Sequence, residues 1–420
     1  MTLRVLNKTP DNVEGDLNAR LAFYLRPEND NGAIEAIECI VNSAVGHEAS
    51  DVHIEPWESA TVVRFRVDGV LAEVATVSRA HHARLVARIK VLARMPSYFR
   101  DTPQDGRIDA GATPAGKSMR VAAIPTVGGE KIVLRLLEGD RKLHSLDGLG
   151  FHPGVLTPIK EFVLRPQGTL LLTGPSSSGK TTTIYALLRE LLAVRKAAPH
   201  IVTIEDPVEY RLDRVDQTEV NPSAGLTFEA ALRALLRQDP EVIVVGEIRD
   251  SETARTAIQA GLTGHLVIST IHCGSAAGVF SRLLDMGVEP YLISSSINGV
   301  LAQRLVRCVC MSCARPVVVA PAHRERYALP ETVASLIEGA GCDRCLHTGY
   351  KGRMAIGEFL PLTDPIADVI QNRLGTGKIQ DCATQVGMLS LEAAGLDQVL
   401  SGRTTLSELD RVLTPARGRI

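Results

Sequence analysis

A run of eight residues has the spacing of a phosphate-binding loop. Gly174-Pro-Ser-Ser-Ser-Gly179-Lys180-Thr181 fits the pattern G-x-x-x-x-G-K-[ST] at every required position. In such a loop backbone N–H groups surround the phosphates, the lysine reaches the β- and γ-phosphates, and the threonine hydroxyl ligates Mg²⁺. The sequence therefore predicts ATP and magnesium as cofactors. The predicted phosphate-binding residues are Gly174, Pro175, Ser176, Ser177, Ser178, Gly179, Lys180, Thr181 and Thr182.

Two carboxylates and a histidine follow short apolar runs farther along the chain. Glu205, Glu247 and His272 each stand within two residues of the end of such a run. In a parallel sheet the carboxyl ends of the strands share the edge where ligands gather. We therefore expect these groups beside the phosphate loop, where a carboxylate can position water for attack on a γ-phosphate. The alternatives are a turn at Asp206-Pro207 and a hydrogen-bonded core role for His272.

The second of these runs departs from the usual magnesium-binding motif. Gly246 stands directly before Glu247, at the position where a metal-binding Asp is expected. We therefore expect Mg²⁺ to rest on Thr181, phosphate oxygens and water. Either Glu205 or Glu247 can then act as the base, and the sequence does not choose between them.

Three arginines have a spacing that suits phosphate contacts. Arg233 and Arg237 are spaced i, i+4 beside an apolar helical face, and Arg249 follows Glu247 by two residues. Arginines that reach a transferred phosphoryl group stabilise its charge in the transition state. The alternative for each is an ordinary ion pair with a nearby Glu229, Asp239 or Asp250.

Four of the eight cysteines form two CxxC pairs. Cys310 with Cys313 and Cys342 with Cys345 have the spacing of paired knuckles, and four thiolates suit tetrahedral Zn²⁺. Cys308 is a possible substitute for Cys310, which we prefer as the ligand. The sequence predicts zinc here rather than disulfides.

The segments around these residues indicate two kinds of fold. After about residue 150, short apolar runs alternate with helical segments, which is typical of a parallel sheet covered by helices; the runs are Thr169–Thr173, Ile201–Ile204, Val242–Val245 and Leu266–Ile271. Before residue 150, apolar and polar residues alternate over Thr61–Val67, which predicts a strand. The Asp68-Gly69 pair that follows indicates a hairpin turn. Strands at Met119–Ile124 and Lys131–Leu136 complete a predicted α+β domain.

The amino-acid composition favours a globular protein and disfavours nucleic-acid-binding and membrane-spanning proteins. Of 420 residues, 45% are apolar and 22% charged, with a formal net charge of −2, so a globular multidomain chain is expected. The near-zero charge and 4% aromatic content disfavour direct nucleic-acid binding. We find no run of 18 apolar residues and no signal-peptide core, so we expect a cytoplasmic protein without a transmembrane segment.

Taken in order, these motifs resemble the hexameric secretion ATPases of type II secretion and type IV pilus assembly. Besides the phosphate loop, the matching segments are Ala49–Pro56, Pro103–Arg107, Ile204–Tyr210, Leu235–Pro240 with Gly246–Asp250, and Leu262–His265 through His272. The resemblance spans about residues 33–415. It implies a RecA-like motor domain behind the α+β domain, and Arg120, Arg135, Arg233, Arg237 and Arg249 as arginines that reach the nucleotide.

The resemblance also implies partners and a domain plan. We expect a homo-hexamer that works with inner-membrane platform proteins and associates peripherally with that membrane. The arm before residue 33 is shorter than the docking domain of many members, which we therefore expect to be lacking. The predicted segments are a short arm (1–32), an α+β domain (33–138), a linker and entry helix (139–165), a RecA-like ATPase core (166–307), a zinc-binding module (308–350) and a C-terminal helical subdomain (351–420).

Three functions remain open at this point. The first is an ATP-hydrolysing motor that powers pseudopilus or pilus assembly. The second is a related motor for DNA uptake or a conjugative pilus, for which the basic stretch from His81 to Arg94 is the only local support. The third is a non-hydrolysing scaffold, which the presence of Lys180 and Glu247 disfavours.

Overall fold

A computed structural model of the chain describes residues 17–113, 115–137, 145–195 and 199–413. The residues divide into two compact units. Met1–Arg141 and Gly341–Thr348 belong to the first, and Lys142–Ala340 and Gly349–Ile420 belong to the second. In the described ranges, no helix combines the length and apolarity needed to cross a membrane.

The first unit is an antiparallel sheet with helices packed on it. Its described α-helices and strands are α1 (Leu17–Tyr24), α2 (Gly32–Gly46), β1 (Asp51–Pro56), β2 (Ala60–Val67), β3 (Val70–Ser78), α3 (His82–Leu92), β4 (Gln104–Ile108), β5 (Met119–Thr126) and β6 (Gly129–Leu136). The sheet has the strand order β3-β2-β1-β6-β5-β4. The α+β class and the β2–β3 hairpin at Asp68-Gly69 follow the sequence prediction.

The region predicted as a polar arm contains a helix. Leu21 of α1 is fully buried, and with Leu25 it joins the core formed by α2 and the sheet. The apolar residues of α1 are not confined to one face, since Phe23 is exposed while Leu21 is buried, and this weak periodicity hid the helix in the sequence. Residues 1–16 of the predicted arm lie outside the described residues.

The second unit is an α/β domain followed by short strands and helices. Its first described elements are α4 (Pro153–Val163), β7 (Gly168–Thr173), α5 (Lys180–Val194), β8 (Ile201–Glu205), β9 (Asp216–Glu219), α6 (Phe228–Leu235), β10 (Val242–Val245), α7 (Ser251–Leu262), β11 (Leu266–Ile271), α8 (Ala276–Asp285), α9 (Pro290–Ser296) and β12 (Ile297–Val309). They are followed by β13 (Ala314–Val318), α10 (Pro321–Arg326), β14 (Ser335–Gly339), β15 (Tyr350–Pro361), α11 (Asp364–Gln371), α12 (Thr376–Gln385), α13 (Leu391–Leu400) and α14 (Leu406–Val412).

The sheet of this unit has the order β15-β12-β7-β11-β10-β8-β9. Neighbouring strands are parallel except for β15, which runs antiparallel to β12. The central strands β7, β10 and β11 are buried along their whole length, which explains their continuous apolar sequences. The predicted parallel α/β domain is confirmed, and every run named for it in the sequence is a strand.

The buried carboxylate of Glu55 contributes to the stability of the first unit in a way that depends on pH. Glu55 on β1 is 5% exposed and pairs with Arg64 at 2.6 Å and Lys131 at 2.7 Å. Burial raises the pKa of Glu55, but the hydrogen bonds and charges of Lys131 and Arg64 outweigh it and bring the pKa to about 2. The ionised form is therefore favoured by folding.

We predict that the first unit loses stability as the pH falls from about 5 towards 2. Because the pKa of Glu55 is lower in the folded chain, its contribution, on the order of 2 kcal/mol, is present above the unfolded pKa and disappears in acid. Urea unfolding at several pH values, followed by fluorescence of the single tryptophan, Trp57, measures it. A Glu55→Gln chain should lack this component of the pH dependence, and equal pH profiles for the two chains would refute the assignment.

Candidate active site

The phosphate-loop sequence joins the end of β7 to the start of α5. Gly174 and Gly179 adopt φ values of 147° and 88°, which side-chain-bearing residues rarely reach. At Gly174 a Cβ atom would also lie 2.5 Å from the backbone oxygen of Gln303 on β12. The loop therefore needs glycine at this position both for its conformation and for its closeness to the neighbouring strand.

Lys180 stands at the first position of α5 with its ammonium group over the loop. Its Nζ donates to the backbone oxygens of Gly174 at 2.9 Å and Pro175 at 3.0 Å. Burial lowers the pKa of Lys180, the negative charge of Glu247 raises it, and Arg304 lowers it further. Lys180 is thus within the electrostatic reach of one carboxylate and one guanidinium.

Glu247 lies at the centre of the polar groups at this sheet edge. Its side chain is 17% exposed, Arg249 donates to its Oε1, and the Nε2 of His272 is 3.5 Å from its Oε2. Arg249 also lies 3.9 Å from a carboxylate oxygen of Asp206. The structure therefore brings together Glu247, Arg249 and His272, which the sequence predicted as site residues.

Glu205 has a different environment from Glu247. It is 5% exposed and accepts hydrogen bonds from Thr203 at 2.6 Å, from Gln217 at 3.0 Å and from the Tyr185 hydroxyl. Burial, followed by the hydrogen bond to Glu205, raises the pKa of Tyr185. The carboxylate of Glu205 is thus enclosed by three side chains of its own unit.

Gly246 fills a position that has no room for a side chain. A Cβ atom there would lie 2.9 Å from the backbone oxygen of Ile204 on β8. The Gly246 N–H donates to the same oxygen at 2.7 Å. Glycine, rather than the usual metal-binding Asp, therefore occupies a position where the backbones of two neighbouring strands are in close contact.

The loop from His272 to Ala276 is attached to the phosphate loop's own strand. Thr173, the last residue of β7, donates its hydroxyl to the Cys273 oxygen at 3.0 Å and accepts the Cys273 N–H at 2.9 Å. Arg304 donates to the Gly274 oxygen at 2.8 Å. This segment, defined here as the histidine loop (residues 272–276), is therefore held from two strands.

Two site residues on β12 were missed in the sequence. Gln303 is fully buried and donates to the Ser178 oxygen at 2.7 Å, and Arg304 reaches the histidine loop. Burial lowers the pKa of Arg304, while the charge of Glu358 raises it. The available signal was a Gln-Arg pair directly after the apolar, buried residues 300–302 of the strand, where polar groups need partners.

The other two motor-side arginines lie on the surface. Arg233 of α6 pairs with Glu229 at 3.0 Å and with Glu252 at 3.4 Å, as the ion-pair alternative expected. Arg237 does not share the helix with it, because α6 ends at Leu235 and Arg237 lies exposed in the following turn. The expected i, i+4 helical arrangement of these two residues was wrong.

In the first unit, arginines form a row across the sheet. Arg107 on β4 pairs in register with Arg120 on β5, and Arg120 pairs with Arg135 on β6. All three are exposed, and Arg135 donates to Asp51 at 2.9 Å. Because directly paired residues project to one face of a sheet, this arginine row (Arg107, Arg120, Arg135) is a cationic surface.

Four cysteines form a group suited to a metal ion. The Sγ atoms of Cys310, Cys313, Cys342 and Cys345 all lie within 4.8 Å of one another, and Cys310, rather than Cys308, is a member of the group. The Sγ atoms of Cys342 and Cys345 are 3.8 Å apart. Thiolates bound 2.3 Å from a tetrahedral zinc ion lie about 3.8 Å apart, so the donor set fits that metal.

Comparison with known sequences identifies the family. Residues 27–411 match the Type II/IV secretion system protein family. The chain belongs to this family. It is 42% identical over 388 residues to the type II secretion system protein E of Dickeya dadantii, covering 92% of this chain and 76% of that protein. It is equally 42% identical over 389 residues to the type II secretion system ATPase E of Vibrio cholerae, with the same coverage.

A second class of relative is the type IV pilus assembly ATPase PilB of Thermus thermophilus. It is 42% identical over 384 residues, which cover 91% of this chain and 43% of that protein. Solved structures of the same fold include the pilus retraction motor PilT with bound ADP, with a TM-score of 0.58, 23% identity, and 91% and 97% coverage of the two chains. The Legionella pneumophila ATPase DotB has a TM-score of 0.66, 20% identity, and 90% and 95% coverage.

Proposed function

We propose that this member of the type II/IV secretion family is an ATP-hydrolysing motor that powers pseudopilus or pilus assembly. The observation that carries the proposal is the constellation of Lys180, Glu247, Arg249 and His272 at the phosphate-loop edge of the sheet. This constellation combines Lys180, a cation that can bind phosphates, with Glu247, a carboxylate that can position water. The relatives in the secretion and pilus classes share the same identity with this chain, so the proposal covers both pathways.

In the proposed reaction, a water oxygen attacks the γ-phosphorus and the bond to the ADP oxygen breaks. The phosphate loop and Lys180 bind the triphosphate, and Arg249 neutralises charge on the transferred group. Mg²⁺, when bound, screens the phosphate oxygens, and Thr181 in the first turn of α5 is the residue that would hold it.

We assign the base to Glu247 rather than Glu205. Glu247 is close enough to Lys180 to shift its pKa, and it contacts His272. Glu205 already accepts hydrogen bonds from three side chains and is 5% exposed, so it has little capacity left for a water molecule. We therefore assign Glu205 the role of holding β8 and α5 in place through Tyr185.

Paired glutamine substitutions test this assignment. We expect Glu247→Gln to lower kcat by about 10²–10³-fold while ATP still binds, because the proton acceptor is lost and the shape is kept. Glu205→Gln should lower kcat less than about tenfold and act mainly on stability. ATPase rate, ATP affinity and thermal unfolding are measured for both variants. The same measurements are made on Lys180→Ala, which should lose ATP binding. A folded Glu205→Gln chain as inactive as Glu247→Gln would reverse the assignment, and full activity in all three would refute the motor.

We further propose that the chain works as a homo-hexamer in which the arginine row binds the nucleotide's phosphates. Arg107, Arg120 and Arg135 carry three positive charges on exposed side chains of neighbouring strands. Asp51 pairs with Arg135, and Asp109 lies 3.7 Å from Arg107. Such a surface suits a polyphosphate anion. Arg233 and Arg237 remain proposed as phosphate-proximal arginines of the motor.

Charge removal in the row tests this role. We expect Arg120→Ala and Arg135→Ala each to lower kcat/KM for ATP by about tenfold or more, since a guanidinium on a developing phosphate charge is lost. The matched control is Arg84→Ala, which removes an exposed arginine on α3 of the same unit, outside the row. Activity measured across protein concentration reports the oligomer, and equal effects of all three substitutions would contradict the proposal.

We propose zinc as the metal of the four-cysteine group. The thiolate donor set and the sulfur spacing support it, and the module's backbone is also tied together locally. Cys310 donates its N–H to Gly349 at 2.9 Å, and Ala340 donates to Cys313 at 2.9 Å, so both ends of the second knuckle are held to the first. Zinc would fix this crosslink and stabilise the module around β13 and β14.

Elemental analysis checks the zinc proposal. The purified chain should carry about one zinc per protomer, and Cys313→Ser or Cys345→Ser should reduce it to a small fraction and lower the unfolding temperature. Cys382→Ser, at a half-buried cysteine on α12, is the control and should keep the metal. Unchanged zinc content in the first two variants would contradict the site.

For its place in the cell, we propose that the protein acts at the cytoplasmic side of the inner membrane. It would be held there by platform proteins of the secretion or pilus machine. Support comes from the family, whose named members belong to those machines.

A further inference from the structure

A second buried carboxylate lies beside the active site without a role in the proposed chemistry. Glu358 on β15 is 5% exposed. Its Oε1 accepts the backbone N–H of Ala276 at 3.0 Å, and its Oε2 accepts the backbone N–H of Leu391 at 3.3 Å. One side chain therefore links two backbone positions that are more than 100 residues apart in sequence.

Both backbone positions are the first residues of helices of ten residues. Ala276 begins α8 and Leu391 begins α13. In each helix the preceding serine, Ser275 or Ser390, accepts the N–H of the residue three positions after itself, so Glu358 binds a helical N–H that the serine leaves unsatisfied. The N-termini of two helices also favour a negative charge, which offsets part of the cost of burying the Glu358 carboxylate.

The first of these helices begins where the histidine loop ends. Thr173 fixes the loop at Cys273, Arg304 fixes it at Gly274, and Glu358 fixes it at Ala276. Every residue between His272 and the start of α8 is thus held, except for Ser275, which caps the helix. The ring of His272 then meets Glu247 at 3.5 Å.

We propose that Glu358 is a positioning residue for ATP hydrolysis: it fixes the histidine loop, and with it His272 beside Glu247, and ties this loop to the start of α13 in the C-terminal helices. The inference rests on the proposed function. It also links the start of α13 to the histidine loop through two hydrogen bonds of one side chain, so a shift of α13 acts on the carboxylate that holds α8. A displacement of a catalytic group by about 1 Å is enough to cost two orders of magnitude in rate.

Glu358→Gln is the sharpest test of the proposal. The amide keeps the volume but has one acceptor oxygen, so one of the two helix N–H groups must face an N–H₂ donor. We expect kcat to fall by about tenfold or more with KM for ATP within about twofold of the wild-type value. A rise in KM without a fall in kcat would overturn the role.

The matched control is Glu408→Gln. Glu408 on α14 is also a fully buried carboxylate and also accepts a backbone N–H, from Arg307 at 2.9 Å, but its partners Arg307 and Arg411 lie outside the histidine loop. We expect this variant to lose at least as much thermal stability while its kcat per folded protein stays within about twofold of wild type. A fall in kcat equal to that of Glu358→Gln would reduce Glu358 to a structural residue and overturn the proposal.

A double-mutant cycle and an exchange measurement complete the test. In a His272→Ala background, Glu358→Gln should change kcat by less than about twofold, because the group it positions is gone; an unchanged penalty overturns the proposal. Hydrogen exchange at Ala276 and Leu391 should accelerate in Glu358→Gln and not in Glu408→Gln. This second readout needs no hydrolysis. An inactive wild-type chain therefore refutes the proposed function, and unaltered exchange refutes the role of Glu358 separately.

Discussion

The parallel register of three strands is the constraint on which the catalytic edge depends. Thr173 of β7 pairs with Ile271 of β11 on one side and with Ala302 of β12 on the other. The residues that follow, Gly174, His272 and Gln303, are consequently level with one another at the carboxyl end of the sheet. A slip of one residue in either pairing would exchange the faces of that strand and remove its polar group from the site.

Four glutamates of the second unit differ in their exposure to solvent, and this difference corresponds to different roles. Glu205, Glu358 and Glu408 are at most 5% exposed, and each has its oxygens occupied by hydrogen bonds from its own unit. Such groups are costly to bury unless they are satisfied, and once satisfied they hold backbone and helices in fixed positions. Glu247 retains 17% exposure and contacts two groups that carry or accept charge, Arg249 and His272. It is the carboxylate of this set that remains open to a reactant.

Features that depend on local sequence spacing could be predicted from the sequence, whereas features that depend on the pairing of distant strands could not. The phosphate loop, the strands that precede Glu205, Glu247 and His272, and the cysteine group could be predicted because local spacing determines them. Arg304 and Glu358 could not, since their roles depend on the register of β12 with β7 and β15, which no local pattern encodes. Helix α1 was missed because its apolar residues are spread over both the buried and the exposed face, so the periodic signal is weak. Arg237 was misplaced because α6 ends two residues before it.

The close contact at Gly246 limits which residues can occupy this position. A carboxylate at this position would supply the usual protein ligand for magnesium, yet the backbone oxygen of Ile204 lies 2.9 Å from where its Cβ atom would stand. The hydrogen bond that joins these two strands at Gly246 would have to lengthen before any side chain could enter. A single substitution therefore cannot restore the ordinary motif without first separating β8 from β10. The backbone contact between these two strands thus excludes the usual carboxylate ligand for magnesium at this position.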